Sequence, residues 1–221
     1  MTNRACLYLF SLMIFLFLCA PFGFSEETGN EQGLQDSKAE AFFHIAGAAE
    51  TLKTISSDFI QEKHVSMLKE PLISSGRFVY EKPDRLYWEI IKPSPAGFVV
   101  RGGKARRWEG DPHKAETFDV QREPVARAIV EQVSAWARAD FPWLEKRYRI
   151  TITEDRPTSL KLLPLSSQEK KYVSHLIIAF SGDWSHVISV EIHEKGGDYV
   201  RIKFSHTLLD QPSRKDLFEP Q

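Results

Sequence analysis

From about residue 57 onward the chain is written in short alternating runs separated by turns, and this limits the fold more than any other feature. A run whose apolar residues recur at every second position has one buried face and reads as a strand. The stretch "YEKPDRLYWEIIKP", residues 80 to 93, shows the grammar. A Lys-Pro-Asp turn opens it and a second Lys-Pro closes it. Between them Leu86, Trp88 and Ile90 share one face, opposite Arg85, Tyr87, Glu89 and Ile91. Proline removes a ladder donor, so it marks the strand entrance.

The same reading covers most of the chain. "SSDFIQEKHVSMLKEPLI" reads as one long, imperfectly alternating strand, and "SSGRFVYEK" follows with Phe78 and Tyr80 on one face. "GFVVRGGKARRWEG" is a hairpin turning at Gly102-Gly103, where a primed turn is the expected geometry and a phosphate loop is not. "AETFDV" is a short strand. "YRITITED", "TSLKLLPL", "YVSHLIIAF", "HVISVEIHE" and "YVRIKFSH" close the chain, the last three as a meander with turns at Gly182-Asp183 and Gly196-Gly197. In "HVISVEIHE", Ile188, Val190 and Ile192 face one way.

Two segments break the alternation. Residues 38–54 carry Phe42, Ile45, Ala49 and Leu52 at helical spacing behind a cap at Asp36 or Ser37. Residues 122–139 carry Val125, Ala126, Ile129, Val130, Val133, Trp136 and Ala137 at spacings of three and four, with Pro124 early enough to be tolerated. "FPWLEKRY" predicts a short helical turn with Trp143 and Leu144 inward. A first helix of this pattern packs on a sheet or serves as a movable lid; the spacing allows both. With about ten strands, two or three helices and no alternating strand–helix order, the expectation is a mainly β (α+β) fold. An antiparallel sheet curls, and helices cover its concave side. Such a sheet either closes on a packed core or encloses an apolar cavity.

The N-terminal segment is a separate object. Arg4 precedes an apolar run from Leu7 to Cys19, followed by Ala20, Gly23 and Ser25, the pattern of a secretory signal peptide cleaved after Ser25. An uncleaved anchor stays open, and Cys19 raises lipidation, against which stands Leu18 directly before it. The expected organisation is a signal peptide (1–25), a flexible leader (26–37) and one domain (38–221). Both cysteines, Cys6 and Cys19, fall in the signal segment, so the exported chain would be cysteine-free, as suits an oxidising compartment. That excludes a thiol nucleophile, a redox dithiol and a zinc–thiolate site. The remaining 28 basic and 30 acidic residues are interspersed, which argues against a nucleic-acid partner.

Catalytic constellations are missing from the sequence. There is no Gly-x-Ser-x-Gly elbow and no His-Glu-x-x-His helix. Glu154 and Asp155 are neighbours on a strand and point to opposite faces. His175, His193 and His206 lie on neighbouring expected strands and could approach one another, but solvated or singly bonded histidines are the commoner outcome. No cofactor is implied. The aromatic residues say more: Phe59, Phe78, Tyr80, Trp88, Trp108 and Phe118 fall on consecutive strands. They are either ordinary core or a wide lining for acyl chains, and the sequence leaves these even. The residues that would line such a cavity are Phe59, Phe78, Tyr80, Leu86, Trp88 and Ile90 from strands, with Ile129, Val133 and Trp136 from the second helix.

Taken in order, several motifs resemble the LolA family of periplasmic lipoprotein carriers. They are Phe59-x-Gln61, "GRFVYEKPDRLYW" from Gly76 to Trp88, Pro93, "RGGK" with Trp108, and the closing "DLFEP". The resemblance implies an unclosed antiparallel barrel with helices as a lid over a cavity for lipoprotein acyl chains or another lipid. It implies a monomer in the periplasm that receives cargo from an inner-membrane donor complex and passes it to an outer-membrane acceptor. A lipid- or lipoprotein-sensing module on the same fold is the alternative. In the family a basic residue before the proline latches the lid; the matching position is Lys82, where the family favours arginine, with Arg85 as a substitute. The sequence also stops at Gln221, soon after the Phe-x-Pro element, which raises the expectation of a different acceptor or lipid.

Overall fold

The computed structural model describes residues 32–155, 157–212 and 215–218. The expected signal segment with its cleavage site and both cysteines, and residues 26–31 of the expected leader, lie outside them. Among the described residues, eleven strands form one sheet: β1 (Thr54–His64), β2 (Leu72–Glu81), β3 (Arg85–Lys92), β4 (Ala96–Arg101), β5 (Lys104–Glu109), β6 (Glu116–Asp119), β7 (Tyr148–Asp155), β8 (Thr158–Pro164), β9 (Val173–Phe180), β10 (Val187–Glu194) and β11 (Tyr199–Leu209). Three α-helices accompany them, besides four short 3-10 helices: α1 (Gln32–Thr51), α2 (Pro124–Ala137) and α3 (Phe141–Glu145).

The strand order is β6-β5-β4-β3-β2-β1-β11-β10-β9-β8-β7. Two meanders, β1–β6 and β7–β11, are therefore fused through the antiparallel pairing of β1 with β11. The sheet is curled but not closed, and β6 and β7 are its two edges. This order explains where the central helix lies. The chain leaves one edge at β6 and must re-enter at the other edge, β7. The connection holding α2 and α3 spans the sheet, and α2 contributes its apolar stripe to the concave side.

Turn chemistry sets the register of the hairpins. Gly102 and Gly103 have φ of 57° and 78°, the pair of positive values that a two-residue primed hairpin between β4 and β5 requires. Gly76 serves a different need. It pairs with Phe59 across β1 and β2, and a Cβ there would lie 2.7 Å from the Phe59 ring and closer still to the Glu89 carbonyl. The missing side chain lets the phenyl ring lie over the neighbouring strand.

Three apolar clusters result. One joins α1 and α3 to β7–β10, around Ile45, Phe141, Tyr148, Leu160 and Leu162. A second joins α2 to β1–β5, around Phe59, Tyr80, Leu86, Trp88 and Val133. A third, smaller one lies on the opposite, convex face, where Val79, Val99 and Trp108 pack under Phe218. Trp108 therefore does not join the concave aromatics with which the strand order grouped it. It pairs with Gly97, whose neighbour Phe98 is the concave residue.

Two boundaries also differ from expectation. The run 56–73 is not one strand: β1 ends at His64, a turn closes with the Leu68 amide on the Val65 carbonyl, and β2 begins at Leu72 after Pro71. The first helix starts at Gln32, so Asp36 and Ser37, residue types favoured at caps over helix interiors, fall inside it. It stops at Thr51, because the amides of Lys53 and Thr54 are taken by the Asp210 carboxylate at 2.6 and 3.1 Å.

Candidate functional site

Between the concave sheet and the helices lies an apolar cavity of about 110 Å³. A single water needs roughly 10–15 Å³ by the same measure, so this is more than a packing flaw. α1 supplies Ile45 and Ala49, and α2 supplies Ile129, Val133 and Trp136. The sheet contributes from both meanders, with Phe78 and Trp88 on one side and Phe180, Ile202 and Phe204 on the other. The cavity thus sits between the two concave clusters.

Trp88 is the centre of the aromatic floor. It is 4% exposed, lies 4.4 Å from the Phe59 ring, and meets Phe78 and Phe204 edge-on at 5.8 and 6.4 Å. Edge-to-face contacts of this kind contribute beyond their area burial. Of the nine residues expected at a cavity, Phe78, Trp88, Ile129, Val133 and Trp136 line it. Phe59, Tyr80 and Leu86 are fully buried in the core behind, and Ile90 is partly buried against that core. Tyr80 donates its hydroxyl to the Pro83 carbonyl at 3.3 Å.

The C-terminal meander supplies lining that the sequence reasoning did not select. Tyr148, Ile202 and Phe204 lie on the apolar sides of "YRITITED" and "YVRIKFSH", so the alternation carried the signal. Val187 lines the cavity in place of Ile188, because the register of β10 shifts between Val187 and Ser189. Trp184 had no periodic signal. It sits in the β9–β10 turn at φ 57°, stacks on His44 of α1 at 4.7 Å and donates its indole N–H to Thr158 at 2.7 Å.

Few polar groups reach the cavity. Gln132, on α2, accepts the Tyr148 hydroxyl at 3.1 Å, and burial pushes the Tyr148 phenol far above its ordinary range. Lys63 at the end of β1 and Glu194 at the end of β10 add charge to the lining. Burial pulls the Lys63 ammonium down, while Glu194 and Asp198 oppose the shift.

At the other end of β1, α1 is tied to the sheet. Lys82 Nζ donates to the carbonyls of Ala49 at 2.7 Å and Glu50 at 2.9 Å, in the last turn of α1. These are acceptors that the helix itself leaves unpaired, at its negative end. Ala49 also lines the cavity, so one residue both holds the tether and touches the enclosed space. Arg85 does not share this role. Strand alternation turns it to the opposite face from Leu86, where it pairs with Glu81 at 2.8 Å and lies over the Phe218 ring at 5.8 Å.

His64, His175 and His193 lie on the convex face, whereas His186 lines the cavity. His175 and His193 stack at 4.3 Å, and the stack continues through Tyr199 at 5.1 Å to His64 at 4.2 Å. His206 is not part of it; it faces Asp58 at 3.2 Å. Burial, then His193, pulls the His175 imidazole down. Among the described residues no group of three or more His, Cys, Asp or Glu is arranged to hold a metal ion.

A curled, unclosed antiparallel sheet, with helices completing an apolar cavity on its concave side, places the protein among cavity-bearing α+β proteins of the curled-sheet kind. The family model described as outer membrane lipoprotein carrier protein LolA matches residues 50–221, and the chain belongs to that family. No curated protein matches the sequence significantly. Among solved structures, the Pseudomonas aeruginosa MucA/MucB complex aligns with a TM-score of 0.50 at 12% identity, over 84% of this chain and 61% of that one. MucB alone aligns at 0.51 and 13%, over 86% of this chain and 64% of that one. An uncharacterized conserved protein from Thermus thermophilus aligns at 0.52 and 7%, over 84% of this chain and 94% of that one. The chain thus spans less than two thirds of the MucB chain it matches. At these identities the likeness is one of fold.

Proposed function

We propose that the protein is a periplasmic carrier that takes the acyl chains of lipoproteins, or of another acylated lipid, into the cavity and moves them from the inner to the outer membrane. The observation that carries this reading is the apolar cavity bounded by α1, α2 and both meanders. An acyl chain in water costs about 0.8 kcal/mol for each exposed methylene, so a carrier must cover the chain throughout transit. It must also release it. In this reading α1 and α2 are the lid, and Lys82 is a latch of modest strength, a point donor where the family favours an arginine fork. Export by cleavage after Ser25, a mature chain beginning near Glu26, action as a monomer, a membrane donor complex and an outer-membrane acceptor all belong to the same proposal. Sequencing the exported protein and finding Met1 intact would remove the export step.

The test is to extract the purified mature protein with organic solvent and identify the lipid by mass spectrometry, then measure transfer of an acylated lipoprotein from inner-membrane vesicles. Stoichiometric acyl lipid and transfer support the carrier. The second reading, a sensing module, draws on MucB, which is found in complex with MucA. It predicts lipid binding without transfer, together with capture of a regulatory protein. Absence of any bound or bindable acyl lipid overturns both.

A further inference from the structure

The cavity is apolar, yet two hydrogen-bond donors in its wall have no acceptor. Gln132 is 4% exposed, and its Oε1 accepts the Tyr148 hydroxyl, while its Nε2 finds no partner among the described residues. The indole Nε1 of Trp136 is likewise buried and unpaired among the described residues. Both residues line the cavity. They stand four apart on α2, so they occupy one helix face, one turn above the other.

A buried donor without an acceptor is costly, and buried polar groups in folded proteins are as a rule paired. A pure hydrocarbon filling the cavity would leave both N–H groups unpaired. Neither N–H has open surface, so a ligand carbonyl reaches them only as the Gln132 and Trp136 side chains turn toward the cavity, and it would then satisfy both. We infer that Gln132 and Trp136 form a carbonyl-recognition subsite, and that the cavity selects ester- or amide-linked acyl chains over ether-linked or plain hydrocarbon chains. The inference rests on the cavity being the lipid site.

The acyl class follows from the donor chemistry. Both groups are neutral N–H donors, which match a neutral carbonyl; a carboxylate or phosphate would bring a charge that neither donor neutralises. The charged lining residues, Lys63 and Glu194, lie at the ends of β1 and β10. The chain then lies along Trp88 and Phe204 while its linkage is read from the helix above.

The experiment compares monooleoylglycerol, an ester, with oleyl glyceryl ether, which has the same chain and headgroup without the carbonyl. Both displace a bound anilinonaphthalene sulfonate dye from the mature protein, and the dye reports each affinity. The wild type is expected to prefer the ester by ~5-fold or more. Trp136→Phe removes one N–H and leaves no other group unpaired, so it should fold normally and narrow the preference. Gln132→Met keeps the volume and should narrow it further, and the double variant should bind the two lipids equally. Equal binding of both lipids by the wild type overturns the subsite and leaves the cavity reading standing, as does an undiminished preference in Trp136→Phe and in the double variant. Failure of both lipids to displace the dye overturns the cavity reading itself, and the subsite with it.

Discussion

Lys82 is half-buried at a strand corner, and its ammonium reaches two carbonyls at the end of α1. A partly exposed cation at a helix C-terminus contributes about 1 kcal/mol. Lys82→Leu should therefore cost little stability while loosening α1. Hydrogen exchange should rise across residues 45–51, and bound lipid should leave faster. Arg85→Leu should do neither, because Arg85 engages Glu81 and Phe218 instead. Equal exchange in wild type and Lys82→Leu would show that the tether is incidental. Gly76 is the other telling residue: Gly76→Ala drives a Cβ into the Glu89 carbonyl and the Phe59 ring. It should lower stability by roughly 2–3 kcal/mol in chemical denaturation. Lys82 was picked out by the resemblance to the LolA family, whose basic residue before the proline it matches; the residues alone showed only that Pro83 marks a strand entrance. The two carbonyl partners of Lys82 were not legible, since nothing local says which helix end arrives there. Gln132 was harder still. A glutamine in an apolar helical stripe is indistinguishable from a surface residue until the phenol of Tyr148 is brought against it.

At the scale of elements, α2 bears the test of placement. Ile129 lies on its cavity face, so Ile129→Asp puts an unpaired charge into an apolar wall. Loss of dye binding, or of folding, is expected; a variant with unchanged melting and unchanged binding would mean that α2 does not cover the cavity. The β9–β10 turn offers a pH test. Asp183 Oδ1 accepts the hydroxyls of Ser181 at 2.6 Å and Ser185 at 2.8 Å. These bonds hold its carboxyl down at about 2. A depressed carboxyl contributes stability above its unfolded value, and the contribution fades as pH falls through the folded one. The group is solvent-exposed, so the contribution is screened to about 1 kcal/mol. Asp183→Ala should thus melt lower than wild type near neutrality, with the gap closing toward pH ~2. A gap that persists in acid would assign the loss to the turn backbone. The strands themselves were largely legible because period-two alternation is local. Where it failed, the cause was non-local. The β10 register shift exchanges Ile188 for Val187, and the pairing of β5 with β4, which sets Trp108 against Gly97, puts Trp108 on the convex face beside Phe218.

For the whole molecule, the cavity divides the concave apolar clusters, one built with α1 and one with α2. A ligand that fills it joins them and binds only the folded state. At a hundredfold excess over Kd this adds about 2.7 kcal/mol. For a chain of this size the melting temperature should rise by roughly 5–10 °C on adding a bound acyl lipid, and not with a headgroup alone. A rise with the headgroup alone would move the binding site away from the cavity. Fold class was readable because the order of elements excludes a parallel sheet. That the sheet stays open was not readable from the residues, since edge strands and paired strands share the same alternation.

That openness has a mechanical meaning. A closed barrel has its girth set by strand number and stagger, and can widen only by breaking ladder bonds. Here β6 and β7 end the sheet without meeting, so the circumference is a free variable. Each strand pair can change its twist slightly with every backbone bond intact, and over ten successive pairings the small changes add up. Such a sheet works as a leaf spring: one wall can grip chains of different thickness, and the stiffness of its grip is spread over the whole fold instead of resting on any single contact.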